Sequence, residues 1–334
     1  MTRVVFMGTP GFAVPSLVAL WERYTVVGVV TQPDRPAGRG RNVAMSPVKE
    51  AALARGIAVY QPRSLRTAEA LEPLAQWQPE VIVVAAFGQI LPPAVLALPA
   101  HGCLNVHASL LPRYRGAAPI PATIQAGDAV TGVTLMRMDE GMDTGPILAQ
   151  AECPIDAEDT TASLTVTLAE RGARLLVDVL PGWLGGEVTA RPQEGALATY
   201  CRPLRKEDGR LDWAAPAAVL DRQVRACNPW PGAYTTWRGQ VLKILRARPR
   251  PEWAGEGEPG TVVLLHESLG VLAGQGLLEL IVMQLAGKRP MPAGEFARGQ
   301  RGLGGEMVGL RAQGNADGAR GTASTSAVDS WPKE

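Results

Sequence analysis

Asn105 and His107 are the two residues of this 334-residue chain whose types and spacing are best suited to chemistry. They close the apolar run GCLNVH (102–107), and the irregular, basic ASLLPRYRGAAP follows. Residues two apart on a β-strand project to the same side, roughly 6.5–7 Å apart, so the amide and the imidazole face a common point. An asparagine amide offers N–H donors to a developing oxyanion, and histidine moves a proton near neutral pH.

A proton-moving histidine needs a group that orients it. MDEGMDTGP (138–146) carries three carboxylates, Asp139, Glu140 and Asp143, any of which could reach back to His107. Asp143 lies between Gly141 and Gly145, where the backbone can turn tightly and hold a carboxylate over a sheet edge. Asn, His and Asp with no serine-nucleophile signature and no metal-ligand spacing point to acyl-type transfer through a direct tetrahedral intermediate. On spacing alone the bland reading stays open: Asn105 a satisfied buried amide, His107 a core imidazole, Asp143 an Asx-turn residue.

The elements that must position these groups read as an open α/β sheet. RVVFMG (3–8), TVVGVVT (25–31), VIVVAAFG (81–88) and GCLNVH are apolar runs separated by helix-length segments, the pattern of parallel strands covered on both faces. TGVTLMRM (131–138) and PILAQAECPI (146–155) are further strand candidates, and 161–180 has helical periodicity. In such sheets ligands bind at the carboxyl ends of the strands, which is where Asn105 and His107 stand. The Gly-, Pro- and polar-rich 183–205 reads as a linker between a first domain (1–182) and a second (206–311). The second domain has one helix candidate (216–227) and then short strands with Gly turns, which suggests a small β-barrel of which the OB-fold is one option. The polar 312–334 reads as a disordered tail.

Composition narrows the class. Hydrophobic residues at 46% with 19% charged describe a globular chain, and no apolar run reaches the roughly 18 residues of a membrane span. The N-terminus enters a strand directly, without a signal-peptide pattern, so a cytoplasmic protein is expected. Cys103, Cys153, Cys201 and Cys227 are too scattered for a metal site or a disulfide framework. Residues 1–195 carry 15 basic and 18 acidic side chains, and 196–311 carry 16 and 11, giving −3 and +5. A basic second half is compatible with a polyanionic partner. GTPGFAVPSL (8–17) lacks the third glycine of GxGxxG, which disfavours a nicotinamide site. The loop TQPDRPAGRGRNVAMSPVK (31–49) sets Arg35, Arg39, Arg41 and Lys49 against Asp34 alone, suiting a phosphate backbone or a lid.

These residues, in this order, resemble the methionyl-tRNA formyltransferases. The family's N-x-H-x-S-L-L-P followed by R-x-R-G-A-A-P reads here as Asn105 to Pro112 and Arg113 to Pro119, and its G-x-D-T-G as Gly141 to Gly145. The basic loop, CNPWPGA (227–233) and AGKRPM (286–291) extend the likeness over roughly residues 3–310. Ala108 and Tyr114 depart from the commoner family residues without changing the general size class or backbone tolerance.

The resemblance implies a Rossmann-like formyltransferase domain followed by an OB-like barrel. It implies transfer of a formyl group from 10-formyltetrahydrofolate to the α-amino group of methionine on initiator methionyl-tRNA, for translation initiation, with no metal. Asn105, His107 and Asp143 would be catalytic. Ser109, Leu110, Leu111 and Pro112 would contact the folate, with Phe87, Gly88, Ile90 and Leu91 lining the pterin pocket opposite. Arg35, Arg39 and Arg41 would meet the tRNA acceptor stem, mostly at phosphates. A monomer is expected. The rivals are a small-amine formyltransferase, a formyltetrahydrofolate hydrolase and a non-catalytic RNA-binding module; the basic loop and second domain count against the first, and the Asn–His–Asp set counts against the last.

Overall fold

The computed structural model describes residues 2–37 and 42–309. Arg39, Arg41 and the tail expected over 312–334 lie outside them. The first half of the chain runs β1 (Arg3–Gly8), α1 (Val14–Trp21), β2 (Thr25–Val30), a hairpin of β3 (Arg35–Ala37) and β4 (Asn42–Ala44), then α2 (Pro47–Ala54), β5 (Val59–Tyr60) and α3 (Ala68–Trp77). It continues through β6 (Val81–Ala85), α4 (Pro93–Leu96), β7 (Cys103–His107), β8 (Arg115–Gly116), α5 (Pro119–Ala126), β9 (Val130–Arg137), β10 (Ile147–Pro154) and α6 (Thr161–Leu184).

Seven of these strands form one sheet in the order β10-β9-β7-β6-β1-β2-β5. The strands from β7 to β5 are parallel, β9 is antiparallel to β7, and β10 is antiparallel to β9. Strict alternation divides the sheet between two cores. Val4 and Phe6 of β1, Val81 and Val83 of β6, and Leu104 and Val106 of β7 join one cluster with Leu17 of α1 and Leu164, Leu168 and Leu176 of α6. Val5 and Met7, Ile82 and Val84, and Cys103 face the other way, toward Leu74 of α3 and Val95 of α4. Both faces are buried, which is why these strands are continuously apolar in sequence. Leu104 is fully buried; shortening it to Ala would cost about 2–5 kcal/mol.

α6 starts with a capping box, the Thr160 side chain accepting from the Ser163 amide while Ser163 answers the Thr160 amide. It lies close on the sheet because residue 172 is glycine, where a Cβ would come within 2.6 Å of Val106 Cγ1.

The alternation settles where the chemistry faces. Asn105 and His107 are in phase with Cys103, so they emerge on the α3–α4 face and away from α6.

Past α6 come β11 (Tyr200–Cys201), α7 (Ala217–Ala226), β12 (Ala233–Trp237), β13 (Gln240–Arg250), β14 (Val262–Leu264), β15 (Leu269–Leu272), β16 (Leu277–Leu285), β17 (Met291–Pro292) and α8 (Ala293–Arg298). They build an antiparallel sheet in the order β12-β13-β16-β15-β14, with β17 added on β16. The segment before residue 309 bridges the two edges, the Val262 amide donating to Glu306 and the Gly309 amide to Thr236. The sheet thereby closes, removing the exposed edges of an open sheet. This domain docks on the first through hydrogen bonds at the start of α6, where Thr161 donates to Ala226 at 2.6 Å and Arg225 to the Asp159 carbonyl at 3.0 Å.

The expected linker is not a free connector. α6 continues to Leu184, and β11 returns to pair in parallel with β8 beside His107.

Candidate active site

β7 delivers Asn105 and His107 to one point, 9% and 6% exposed. The imidazole is fixed by backbone. Nε2 of His107 lies 3.0 Å from the Tyr114 carbonyl oxygen, which only accepts, so Nε2 carries a proton. In the neutral ring the open nitrogen is therefore Nδ1, and it faces Asp143, with 3.7 Å to Oδ1. That separation permits a charge interaction but exceeds a hydrogen bond. The orienting contact comes from Tyr114 rather than from Asp143, a difference from the sequence reading. The carbonyl is aimed by a left-handed backbone at Tyr114 (φ 59°) and by its amide donating to Thr199 Oγ1 at 2.8 Å.

Asp143 arrives by an indirect route. β9 is antiparallel to β7, with Arg137 opposite Leu104, so the 138–146 loop starts beside the amino end of β7 and must turn back to the two side chains. Asp139 shapes the start of that loop, accepting from the Thr144 hydroxyl at 2.6 Å and the Gly141 amide at 3.1 Å. Asp143 itself is left-handed (φ 54°), a geometry costing roughly 1 kcal/mol that Asp tolerates better than most residues. Its Oδ1 accepts from Asn105 Nδ2 at 3.4 Å and its Oδ2 from the Gly116 amide at 2.8 Å. One carboxylate thus stands against an amide donor and an open imidazole nitrogen, in a site closed from most solvent. The Tyr114 phenol is no acid or base there near neutrality: burial, and then the Asp128 carboxylate, push it up to about 12.

A family model described as "Formyl transferase" matches residues 2–180, and "Formyl transferase, C-terminal domain" matches 203–301. The methionyl-tRNA formyltransferase of Roseiflexus castenholzii is 49% identical over 309 residues, covering 92% of this chain and 99% of that one. The enzyme of the same name from Myxococcus xanthus is 50% identical over 300 residues, 90% of this chain and 95% of that one. The chain belongs to the methionyl-tRNA formyltransferase family. A solved structure of the same fold is the N-formyltransferase of Helicobacter canadensis in complex with folinic acid and dTDP-3-aminofucose. It has a TM-score of 0.64 at 18% identity, over 84% of this chain and 98% of that one.

In this formyltransferase the segment after β7 turns its polar groups inward. Ser109 is fully buried, its hydroxyl donating to the Arg113 carbonyl at 2.7 Å. The Leu111 amide donates to Thr134 Oγ1, whose hydroxyl donates to the Ser109 carbonyl, and Gln150 Nε2 donates to the Leu111 carbonyl. The Leu111 side chain packs with Met136 and Ile147, and Leu110 leans over Gly132. Of the 109–112 residues expected to meet folate, Ser109 and Leu111 serve first as scaffold. Across the sheet, Phe87 and Leu91 are buried with Val95 and Cys103 on the face that carries Asn105. Ile90 is exposed. The carbonyls of Phe87 and Gly88 both accept from Gln32 Nε2 at 3.0 Å, so they already have a donor. Gln32 also accepts from Arg35 at 2.9 Å, which ties the root of the basic loop to this segment.

The sequence reading missed four contributors. Gln193 and Thr199 come from the expected linker, and the Tyr114 carbonyl and Gly116 amide are backbone groups; none has a local signal of function. Among the described residues, no cluster of three or more His, Cys, Asp or Glu is arranged to hold a metal, and no helix is long and apolar enough to cross a membrane.

Proposed function

We propose that this family member moves the formyl group of 10-formyltetrahydrofolate onto the α-amino group of methionine esterified to initiator tRNA, with Asn105, His107 and Asp143 as the reacting set. One observation carries the reading: Asp143 Oδ1 stands 3.4 Å from Asn105 Nδ2 and 3.7 Å from His107 Nδ1. Donor, open proton acceptor and carboxylate converge where a formyl carbon can be attacked.

Asn105 has a second amide N–H to offer the formyl oxygen as charge builds on it. His107, already protonated on Nε2, takes at Nδ1 the proton that the attacking amine sheds as its new C–N bond forms. Asp143 balances the imidazolium so produced. As the bond from the formyl carbon to the donor nitrogen breaks, His107 returns the proton to that nitrogen, and the ring ends neutral. Ser109 to Pro112, with Phe87, Gly88, Ile90 and Leu91, frame the folate from either side. Arg35, Arg39 and Arg41 position the tRNA through its phosphates. The second domain adds further basic side chains, because Lys243, Arg246, Arg248 and Arg250 are exposed along β13, with Arg246 facing Glu158 and Arg250 facing Glu279.

The decisive assay measures formyl transfer from 10-formyltetrahydrofolate to charged initiator tRNA beside a control without tRNA. Formylated methionyl-tRNA formed by the natural sequence, and slowed by orders of magnitude in Asp143→Ala, supports the reading. Folate turnover without tRNA would reassign the protein to hydrolysis or to a small amine. Full turnover in Asp143→Ala would remove Asp143 from the proton path.

A further inference from the structure

Gln193 sits in a stretch whose composition reads as a connector, yet its side chain ends inside the catalytic framework. Nε2 donates both of its N–H bonds, to the Asp143 carbonyl at 2.8 Å and the Gly145 carbonyl at 2.7 Å. Oε1 accepts both from Arg115, at 3.1 Å from Nε and 2.7 Å from Nη2. A primary amide has two donors and one oxygen with two lone pairs, so this side chain is fully used.

Each end of the clamp is itself constrained. Arg115 is 5% exposed, and among the described residues no carboxylate pairs with it. Its charge is met by Gln193 Oε1, by the Tyr200 hydroxyl at 3.3 Å and by the Tyr200 ring at 6.0 Å. Its backbone is held by β11, the Arg115 amide donating to Thr199 at 2.8 Å. The other end is the left-handed turn at Asp143. A turn of that kind persists only where its surroundings over-determine it, and the two carbonyls Gln193 grips lie on and just past the left-handed residue. If they are released, the turn can relax toward right-handed backbone, and the carboxylate leaves the Gly116 amide, Asn105 and His107 together.

We infer that Gln193 is a positioning residue for formyl transfer: it locks the Asp143 turn against the buried Arg115 and so holds the carboxylate over His107. The connector between the domains is thereby part of the active-site scaffold. The inference rests on Asp143 acting in the reaction, and the tests below separate the two claims.

Two variants probe the clamp. Gln193→Ala removes it. Gln193→Glu keeps a partner for Arg115 but sets an acceptor against two carbonyls, so it isolates the lost donors even if the alanine variant folds poorly. Both should lower kcat by about 10- to 100-fold, the scale of an ångström-level misplacement. KM for the folate donor and for tRNA should stay within about twofold, since no ground-state contact is removed. Asp143→Ala combined with Gln193→Glu should be no slower than Asp143→Ala alone, because Gln193 acts through Asp143. Amide exchange at Gly116 should accelerate in both Gln193 variants while β1 and β6 stay unchanged.

Unchanged kcat in Gln193→Glu, or losses that multiply in the double variant, would overturn the inference. If Asp143→Ala alone keeps full turnover, the catalytic role of Asp143 fails, and Gly116 exchange then judges the clamp: faster exchange sustains it and unchanged exchange sinks it.

Discussion

Nε2 of His107 and the carbonyl oxygen of Tyr114 lie 3.0 Å apart, and this contact assigns the chemistry of the ring. A carbonyl cannot donate, so the contact keeps a proton on Nε2 and leaves Nδ1 as the open nitrogen of the neutral ring, the one the proposed reaction would use. The holder is backbone, bent left-handed at Tyr114 and pinned by Thr199. No side-chain substitution can abolish the carbonyl; it can only be moved, by releasing the Thr199 hydroxyl or displacing the strand pair of β8 and β11. Removing the ring is a different matter.

His107→Ala should therefore lower kcat by about 10²- to 10⁴-fold, the usual share of a general acid–base group. Affinity for tRNA in a filter-binding assay should be unaltered, because the ring is buried and bonded within the first domain. A variant that turned over at the natural rate would mean that the proton leaves the amine by water alone.

Much of this site was legible in the sequence, for definable reasons. The sheet could be read because β1 and β6 are buried on both faces, which leaves uninterrupted apolar runs. Asn105 and His107 could be paired because a strand repeats every two residues, a rule with no tertiary input. Asp143 was legible as a carboxylate in a glycine-bounded loop, but its path was not. The antiparallel direction of β9 is set by which strand it pairs with, and no local pattern carries that. Gln193 was invisible for the same reason. Its neighbours, Arg191, Pro192 and Glu194, look like any connector, and only long-range pairing, of Arg191 with Ile147 and of Tyr200–Cys201 with Arg115–Gly116, brings it home. Ser109 shows another limit: a hydroxyl in a loop invites a ligand contact, and no local pattern tells that its proton is also donated to the Arg113 carbonyl.

Thiol reactivity offers an independent check on packing around the site. Burial pushes the Cys103 thiol up to about 12 and Cys227 to about 11. Burial, with the nearby Asp143 charge, also raises Cys201. At pH 8 none of these is an appreciable thiolate, and the thiolate is the reactive form. A disulfide reagent should find no fast thiol in the native protein. Slow labelling of the half-buried Cys201 should reduce activity in step, since its sulfur lies against the Tyr114 and Arg115 carbonyls. All four cysteines should react after denaturation. Any fast native thiol would contradict this packing.

The Arg202–Asp208 pair gives an acid-range test at the domain junction. The Arg202 guanidinium, 2.6 Å from Asp208 Oδ1, together with the Arg205 amide, holds the carboxyl down at about 2. A carboxyl depressed in the folded state stabilises fully above its unfolded value, near 4. That contribution is lost as pH falls through the folded value, so the window runs from about pH 4 down to 2. Solvent screening at this exposed pair limits the effect to about 1 kcal/mol or less. Asp208→Asn should lower the urea midpoint slightly at pH 6, and the gap to the natural sequence should close as the pH falls toward 2. A gap of constant size across that range would rule out the linkage.

Gly145 tests the turn that carries Asp143 without touching a functional group. A Cβ added there would meet the Arg137 carbonyl oxygen at 1.9 Å, a fixed backbone atom at the end of β9. The strand cannot yield, because Arg137 pairs with Leu104 and its amide donates to the Pro146 carbonyl at 2.9 Å. The loop must shift instead, by an ångström or so, and displacement on that scale costs about 100-fold in rate when it separates reacting groups. Gly145→Ala should thus lose most of its kcat while its thermal midpoint falls only modestly, since the two hydrophobic cores of the sheet are untouched. Measured side by side, kcat and the melting midpoint distinguish the alternatives. A collapse of both would make Gly145 a folding residue, and retention of both would mean that the turn has another way to bring Asp143 to His107.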